Sequence, residues 1–233
     1  MTGSIAALAL ATAVFVASHV VLSTLPVRSR LVAAMGETGF RLGYSLLALA
    51  LLAWLVAAYR AAPFVELWWP PVGLRHLSLL LMPPAFVLLV AGLTTAGPRP
   101  AEPGRANGAG VHAGPVGIYR VTRHPAMWAV GLWAVAHLLA NGDAAAVILF
   151  AGMALLALAG ALNSDHRRRA VLGEGWPGYR AQTSFLPFQA ILAGRTRFRP
   201  GEIGWARLTG GLALFAVLLF AHPWLFGVSP LPG

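Results

Sequence analysis

The sequence predicts an all-α fold: a polytopic membrane bundle of about six helices, formed by residues 1–233 as a single transmembrane domain. Three observations carry this. Of 233 residues, 58% are hydrophobic and only 10% charged, where soluble domains average roughly 45–50% and about 25%. The apolar residues gather into runs close to the ~20 that cross a bilayer. The 17 basic residues are all arginine, and they fall almost entirely in alternate connections between those runs.

The first run, Ile5 to Leu25, has no basic residue before it and outlasts the apolar core of a secretory leader, so it reads as a span. Leu42 to Tyr59 is the second. Leu77 to Thr94 is the third, and Pro83-Pro84 predicts a kink within it. Ala126 to Ala140 is short, and Asn141-Gly142-Asp143 joins it to Ala144 to Leu162 as a tight turn, making a helical hairpin. Leu208 to Leu225 completes the set. Residues 96–117 are rich in glycine and proline without periodicity, and read either as a plain linker or as a lid over a site. Residues 163–207 are long enough to carry structure of their own.

Arginine placement orients the bundle. Fifteen of the arginines lie in the first, third and fifth connections, and only Arg60 and Arg75 lie opposite. Both termini are therefore expected outside the cytoplasm. The net charge of +10 is accounted for by this topology and by contact with anionic lipid, with the bilayer rather than nucleic acid as partner. The absence of cysteine excludes disulfides, cysteine-ligated iron–sulfur clusters, c-type haem attachment and a thiolate nucleophile.

An ionisable residue within a span is a functional candidate by default. His19, His137 and His222 lie in the first, fourth and sixth spans. Each is able to ligate a metal or haem iron through one ring nitrogen while the other is held by hydrogen bonding, and each is equally able to bond a neighbouring helix. At about 1.5 Å per residue, His19 lies roughly 21 Å inward from Ile5, whereas His137 and His222 lie about 5 Å from the outer ends of their spans. By depth, His222 matches His137 better than His19 does.

The densest local word is Gly117-Ile118-Tyr119-Arg120-Val121-Thr122-Arg123-His124-Pro125. Proline suits a first helical turn, which places Arg123 and His124 at the positive helix end. A phosphate or carboxylate is favoured there, though an arginine snorkelling at the interface would have the same signature. Asn163-Ser164-Asp165-His166 follows the fifth span on the same side, and Asp165 is the natural ion-pair partner of Arg123, in competition with Arg167, Arg168 and Arg169. Arg123, His124 and Asp165 are the candidate cofactor-binding set. No nucleotide loop, serine triad or paired metal-ligand motif is present in the sequence.

These words resemble the NnrU family of bacterial membrane proteins. The likeness covers essentially the whole chain: Ser18-His19, the Gly117–Pro125 word, Ala136-His137-Leu138-Leu139-Ala140-Asn141-Gly142, Asn163–Arg168, Thr183–Phe188 and Ala221-His222-Pro223. The family's 15-cis-zeta-carotene isomerase branch shares them. The resemblance implies an inner-membrane protein with periplasmic termini that binds haem b through His19 and His137. It also implies either a redox-gated isomerase acting on a hydrophobic small molecule or an accessory protein linked to denitrification. A wider resemblance runs to membrane methyltransferases that share an Arg-His-Pro word. It implies S-adenosylmethionine on the Arg123–His124 face, but those enzymes often carry paired acids where this chain has Asp165-His166.

Overall fold

A computed structural model describes residues 3–98 and 114–231. Among them, helices α1 (Ile5–Leu22), α2 (Leu25–Ala61), α3 (Val72–Thr94), α4 (Pro125–Ala140), α5 (Ala144–Leu172) and α9 (Trp205–Phe226) are the long elements. A 3-10 turn (Gly117–Arg120) and the short helices α6 (Gly175–Gln182), α7 (Gln189–Leu192) and α8 (Pro200–Ile203) fill the connections. Helices α1, α2, α3, α5 and α9 are long and apolar enough to cross a membrane, and α4 is a shorter apolar helix. The architecture is all-helical, as the composition requires. The linker at 96–117, read as a possible lid, falls mostly outside the described residues.

Two helices outrun the apolar runs that mark them. The first connection is helical rather than a loop: Pro26 sits in the first turn of α2, and the helix runs to Ala61 with one non-helical residue, Gly36 (φ 75°, ψ 164°). Across that break Arg28 donates to both oxygens of Glu37 (2.6 and 2.7 Å), and its guanidinium lies over the Phe40 ring. Helix α5 continues ten residues beyond Leu162, carrying Asp165 and Arg167–Arg169 on helical backbone. Helix α3 runs unbroken through Pro83-Pro84.

The chain forms two compact units, to both of which α3, α4 and α5 contribute. In the first (residues 3–78 and 134–163), α1 and α2 are antiparallel. A Cβ on Gly3 would lie 2.4 Å from the Ala61 carbonyl oxygen, and the rings of His19 and Tyr44 meet edge to face at 5.5 Å. Helices α1 and α5 run parallel. A Cβ on Gly152 would lie 2.3 Å from Thr12 Cγ2, and Asn163 Nδ2 donates to the Val20 carbonyl (3.0 Å) and Ser23 Oγ (2.9 Å). Small residues permit such approach where no hydrophobic drive joins helices in lipid. The turn between α4 and α5 is pinned. Leu67 and Trp68 N–H both donate to the Gly142 carbonyl, and Asp143 caps α5 by accepting from Ala146 N–H at 2.9 Å.

In the second unit (residues 79–133 and 164–231), glycine again sets the crossings. A Cβ on Gly92 of α3 would lie 2.8 Å from Ala126 N of α4, and one on Gly211 of α9 would lie 2.7 Å from Val87 Cα of α3. Leu88, Ala91, Ile118, Tyr119, Val121, Ala129 and Ile203 form the core. Glu202 ties α8 to the 3-10 turn, accepting from Arg120 (2.7 Å) and from Gly117 N–H (3.0 Å). Chiefly through the Arg120 bond, its carboxyl is pulled down to about 2.

Candidate functional site

The polar centre of the second unit is made by two words some 60 residues apart. Arg123 N–H donates to the Ser184 carbonyl (3.0 Å), and Phe188 N–H donates to the Val121 carbonyl (2.8 Å). Thr122 Oγ1 donates to the Phe185 carbonyl (2.8 Å) and accepts from His124 N–H (3.2 Å). Trp128 Nε1 donates to the same Phe185 carbonyl (2.8 Å). The residues 183–188 are shaped to do this. Phe188 takes a left-handed backbone (φ 64°), and Ser184 Oγ accepts from Ala190 N–H (3.0 Å). The Val121, Ser184 and Phe185 carbonyls each meet a donor, as buried backbone requires.

This frame holds Arg123 and His124 at the start of α4, 7% and 3% exposed. The structure brings both to Asp165, as their charges predict. Arg123 Nε lies 2.9 and 3.0 Å from the two Asp165 oxygens and Nη2 lies 2.6 Å from Oδ2, a forked pairing that only a guanidinium makes. His124 Nε2 lies 2.8 Å from Asp165 Oδ1 but makes no well-aligned hydrogen bond among the described residues. Burial pushes the His124 imidazole below its ordinary pKa, and the neighbouring Asp165 offsets this only in part. At neutral pH the ring is uncharged.

Arg168 does not compete for Asp165. It donates instead to the Arg123 carbonyl, and its guanidinium covers the Tyr119 ring at 5.6 Å. Trp176 and Phe185 flank Arg123, 6.0 and 5.7 Å from its guanidinium carbon. Tyr179 is the residue that sequence reasoning passed over. It is 2% exposed, its hydroxyl has no hydrogen-bond partner among the described residues, and burial raises its pKa. The word Gly178-Tyr179-Arg180 is visible in the sequence, but nothing in it says that the hydroxyl is buried.

The candidate metal ligands lie in the first unit. His19 Nδ1 is 2.7 Å from the Phe15 carbonyl oxygen, to which it donates. Its ring packs on Phe15 (4.2 Å) and Tyr44. His137 stacks on Phe150 at 4.6 Å. The two imidazoles differ in height along α5: Asn163 reaches Val20 beside His19, whereas Phe150 holds His137. His222 lies in the second unit, its Nδ1 2.9 Å from the Val228 carbonyl oxygen. Among the described residues no group of three or more metal-ligating side chains is gathered.

The family model for the NnrU protein matches residues 7–230. The chain belongs to the NnrU family. It is also 34% identical to a 15-cis-zeta-carotene isomerase, chloroplastic, of Zea mays over 122 residues, which is 48% of this chain and 32% of that protein. With the enzyme of the same name from Arabidopsis thaliana it is 36% identical over 124 residues, 51% of this chain and 33% of the relative. The chain thus spans about a third of the length of the curated relatives it matches. No solved structure matches it.

Proposed function

We propose that this NnrU-family membrane protein is an isomerase of a lipid-soluble polyene. The observation that carries the reading is its 34–36% identity, across about half of the chain, to two carotene isomerases. Cis-to-trans isomerisation transfers no atom. The protein has only to hold an apolar substrate and lower the barrier to rotation about one double bond, so an apolar, aromatic-lined site suffices. The surroundings of His19, with the Phe15 and Tyr44 rings against it, have that character. Haem b would supply a redox-active iron. A single imidazole such as His19, with Nδ1 held by a carbonyl and Nε2 directed elsewhere, suits one side of such a group. His137 would be the other residue to hold it, as the family resemblance implies.

We further propose that the protein lies in the bacterial inner membrane with both termini periplasmic, a reading supported by the distribution of arginine. The test of function is expression in a host that accumulates 15-cis-zeta-carotene, with isomers separated chromatographically and the visible spectrum of the purified protein recorded. Conversion to the trans isomer with a Soret band that changes in His19→Ala is the expected result. Folded, colourless protein with no conversion overturns the isomerase reading and leaves the denitrification-linked accessory role.

A second reading, an S-adenosylmethionine-dependent methyltransferase, is favoured by one observation: Arg123 and His124 are built into a buried cluster at a helix N-terminus. It takes Arg123, His124 and Asp165 as the cofactor-binding set. Methyl transfer to a lipid acceptor, dependent on added S-adenosylmethionine and lost in Arg123→Gln, would establish it. Absence of cofactor binding by calorimetry would remove it.

A further inference from the structure

We propose that the cluster of Tyr179, Arg168, Arg123 and His124 is a binding site for one oxyanion, a phosphate group carried either by a small soluble molecule or by a lipid headgroup. Two buried polar atoms have no hydrogen-bond partner among the described residues: the Tyr179 hydroxyl and, although it lies 2.8 Å from Asp165 Oδ1, His124 Nε2. Buried polar groups in native proteins are almost always hydrogen-bonded, and each exception has a cause. Here both exceptions occur in one cluster, and the Tyr179 hydroxyl lies within electrostatic reach of Arg168, Arg123, Asp165 and Tyr119.

The charge balance selects the sign of the ligand. Asp165 is clamped by both faces of the Arg123 fork and touched by His124. Arg168 gives one N–H to a backbone carbonyl and keeps a full positive charge. With His124 uncharged, two guanidiniums face one carboxylate, which leaves a surplus of one positive charge beside a phenol that has a proton to donate. The cluster also abuts the first turn of α4, where the helix end adds positive potential. A cation would be repelled by that surplus. An oxyanion finds the Tyr179 hydroxyl, the remaining N–H groups of Arg168 and, in the matching tautomer, the His124 ring.

The site goes beyond the isomerase reading and does not depend on it, because its test reads binding rather than turnover. The probe is inorganic phosphate, titrated into the full chain in uncharged detergent with ionic strength held constant by chloride. The unfolding temperature is expected to rise saturably. Tyr179→Phe is expected to raise the half-saturating phosphate concentration at least about tenfold, the worth of a hydrogen bond to a charged group. Without phosphate the variant should be no less stable than the wild type, since it removes only a hydroxyl that has no partner. Nanodiscs separate the two sources. A phosphate response abolished by phosphatidylglycerol but kept in phosphatidylcholine marks an anionic lipid headgroup as the occupant. A response kept in both marks a soluble anion, and either result supports the site. No phosphate response in detergent, or the same half-saturation in Tyr179→Phe as in the wild type, overturns it.

Discussion

The Arg123–Asp165 pair invites a double-mutant cycle. Arg123→Gln leaves the Asp165 carboxylate with only a poorly aligned imidazole, and Asp165→Asn leaves a guanidinium that is 7% exposed without its counter-charge. Breaking one side of a buried pair costs about 3–5 kcal/mol, because the orphaned charge stays desolvated. For a chain of this size, 1 kcal/mol moves the unfolding temperature by about 2–4 °C, so each single variant should lose roughly 6–20 °C in a detergent melt. The double variant buries two neutral groups of similar shape and should lose about as much as one single variant, not the sum. The apolar helices are untouched, so helical circular dichroism at low temperature should match the wild type. The same proteins carry a pH signature. His124 has a depressed pKa in the folded state, so below its ordinary value near 6.5 the unfolded chain takes a proton that the native protein refuses. Stability is then lost as pH falls from about 7 through that window. Arg123→Gln removes a cation that opposes the His124 proton and frees Asp165 to favour it, so the loss should shrink. Single variants within about 2 °C of the wild type, strictly additive losses, or an unchanged pH profile in Arg123→Gln would each refute the account of a coupled, buried charge cluster.

Two further predictions concern the scaffold. A methyl group on Gly142 would lie 1.8 Å from the Trp68 carbonyl oxygen, a backbone atom that cannot rotate away. Gly142→Ala should therefore destabilise the protein by at least the ~1–3 kcal/mol of ordinary overpacking. A melt identical to the wild type would show that the α4–α5 turn is not pinned as described. Reporter fusions after Gly233 and within residues 101–110 should report opposite sides of the membrane, with the C-terminus periplasmic. A cytoplasmic C-terminus would refute the orientation read from arginine.

The sequence made parts of this legible for identifiable reasons. Hydropathy located the apolar helices because lipid leaves a spanning backbone no alternative. It misjudged their lengths because counting apolar residues stops at a charge and helix formation does not. Leu25–Met35 and Ser164–Leu172 carry arginines and still continue their helices. Asp165 was identifiable as the partner of Arg123 from charge alone. That Arg168 would take a backbone carbonyl rather than the carboxylate was not, because the choice rests on local geometry. The joining of Thr122–His124 to Ser184–Phe188 left no trace beyond two conspicuous words, since a hydrogen bond to a carbonyl does not constrain which residue bears it.

An isomerase acting on a hydrocarbon needs no charged partner for its substrate, yet this chain buries Arg123, Asp165 and His124 together and leaves the Tyr179 hydroxyl beside them without a bond. Desolvating such groups costs several kcal/mol per ion, and their pairing offsets that cost without generally exceeding it. Apolar residues of similar volume would serve packing at least as well. The cluster therefore has a task that packing does not explain. Either it fixes residues 183–188 against the start of α4, or it recognises a polar group. The first task uses Thr122, Trp128 and the backbone of Arg123, and the Tyr179 hydroxyl takes no part in it. The unmatched hydroxyl is thus the atom on which the two tasks diverge. Removing it alone, with the ring left in place, asks whether the charges are there for the fold or for a ligand.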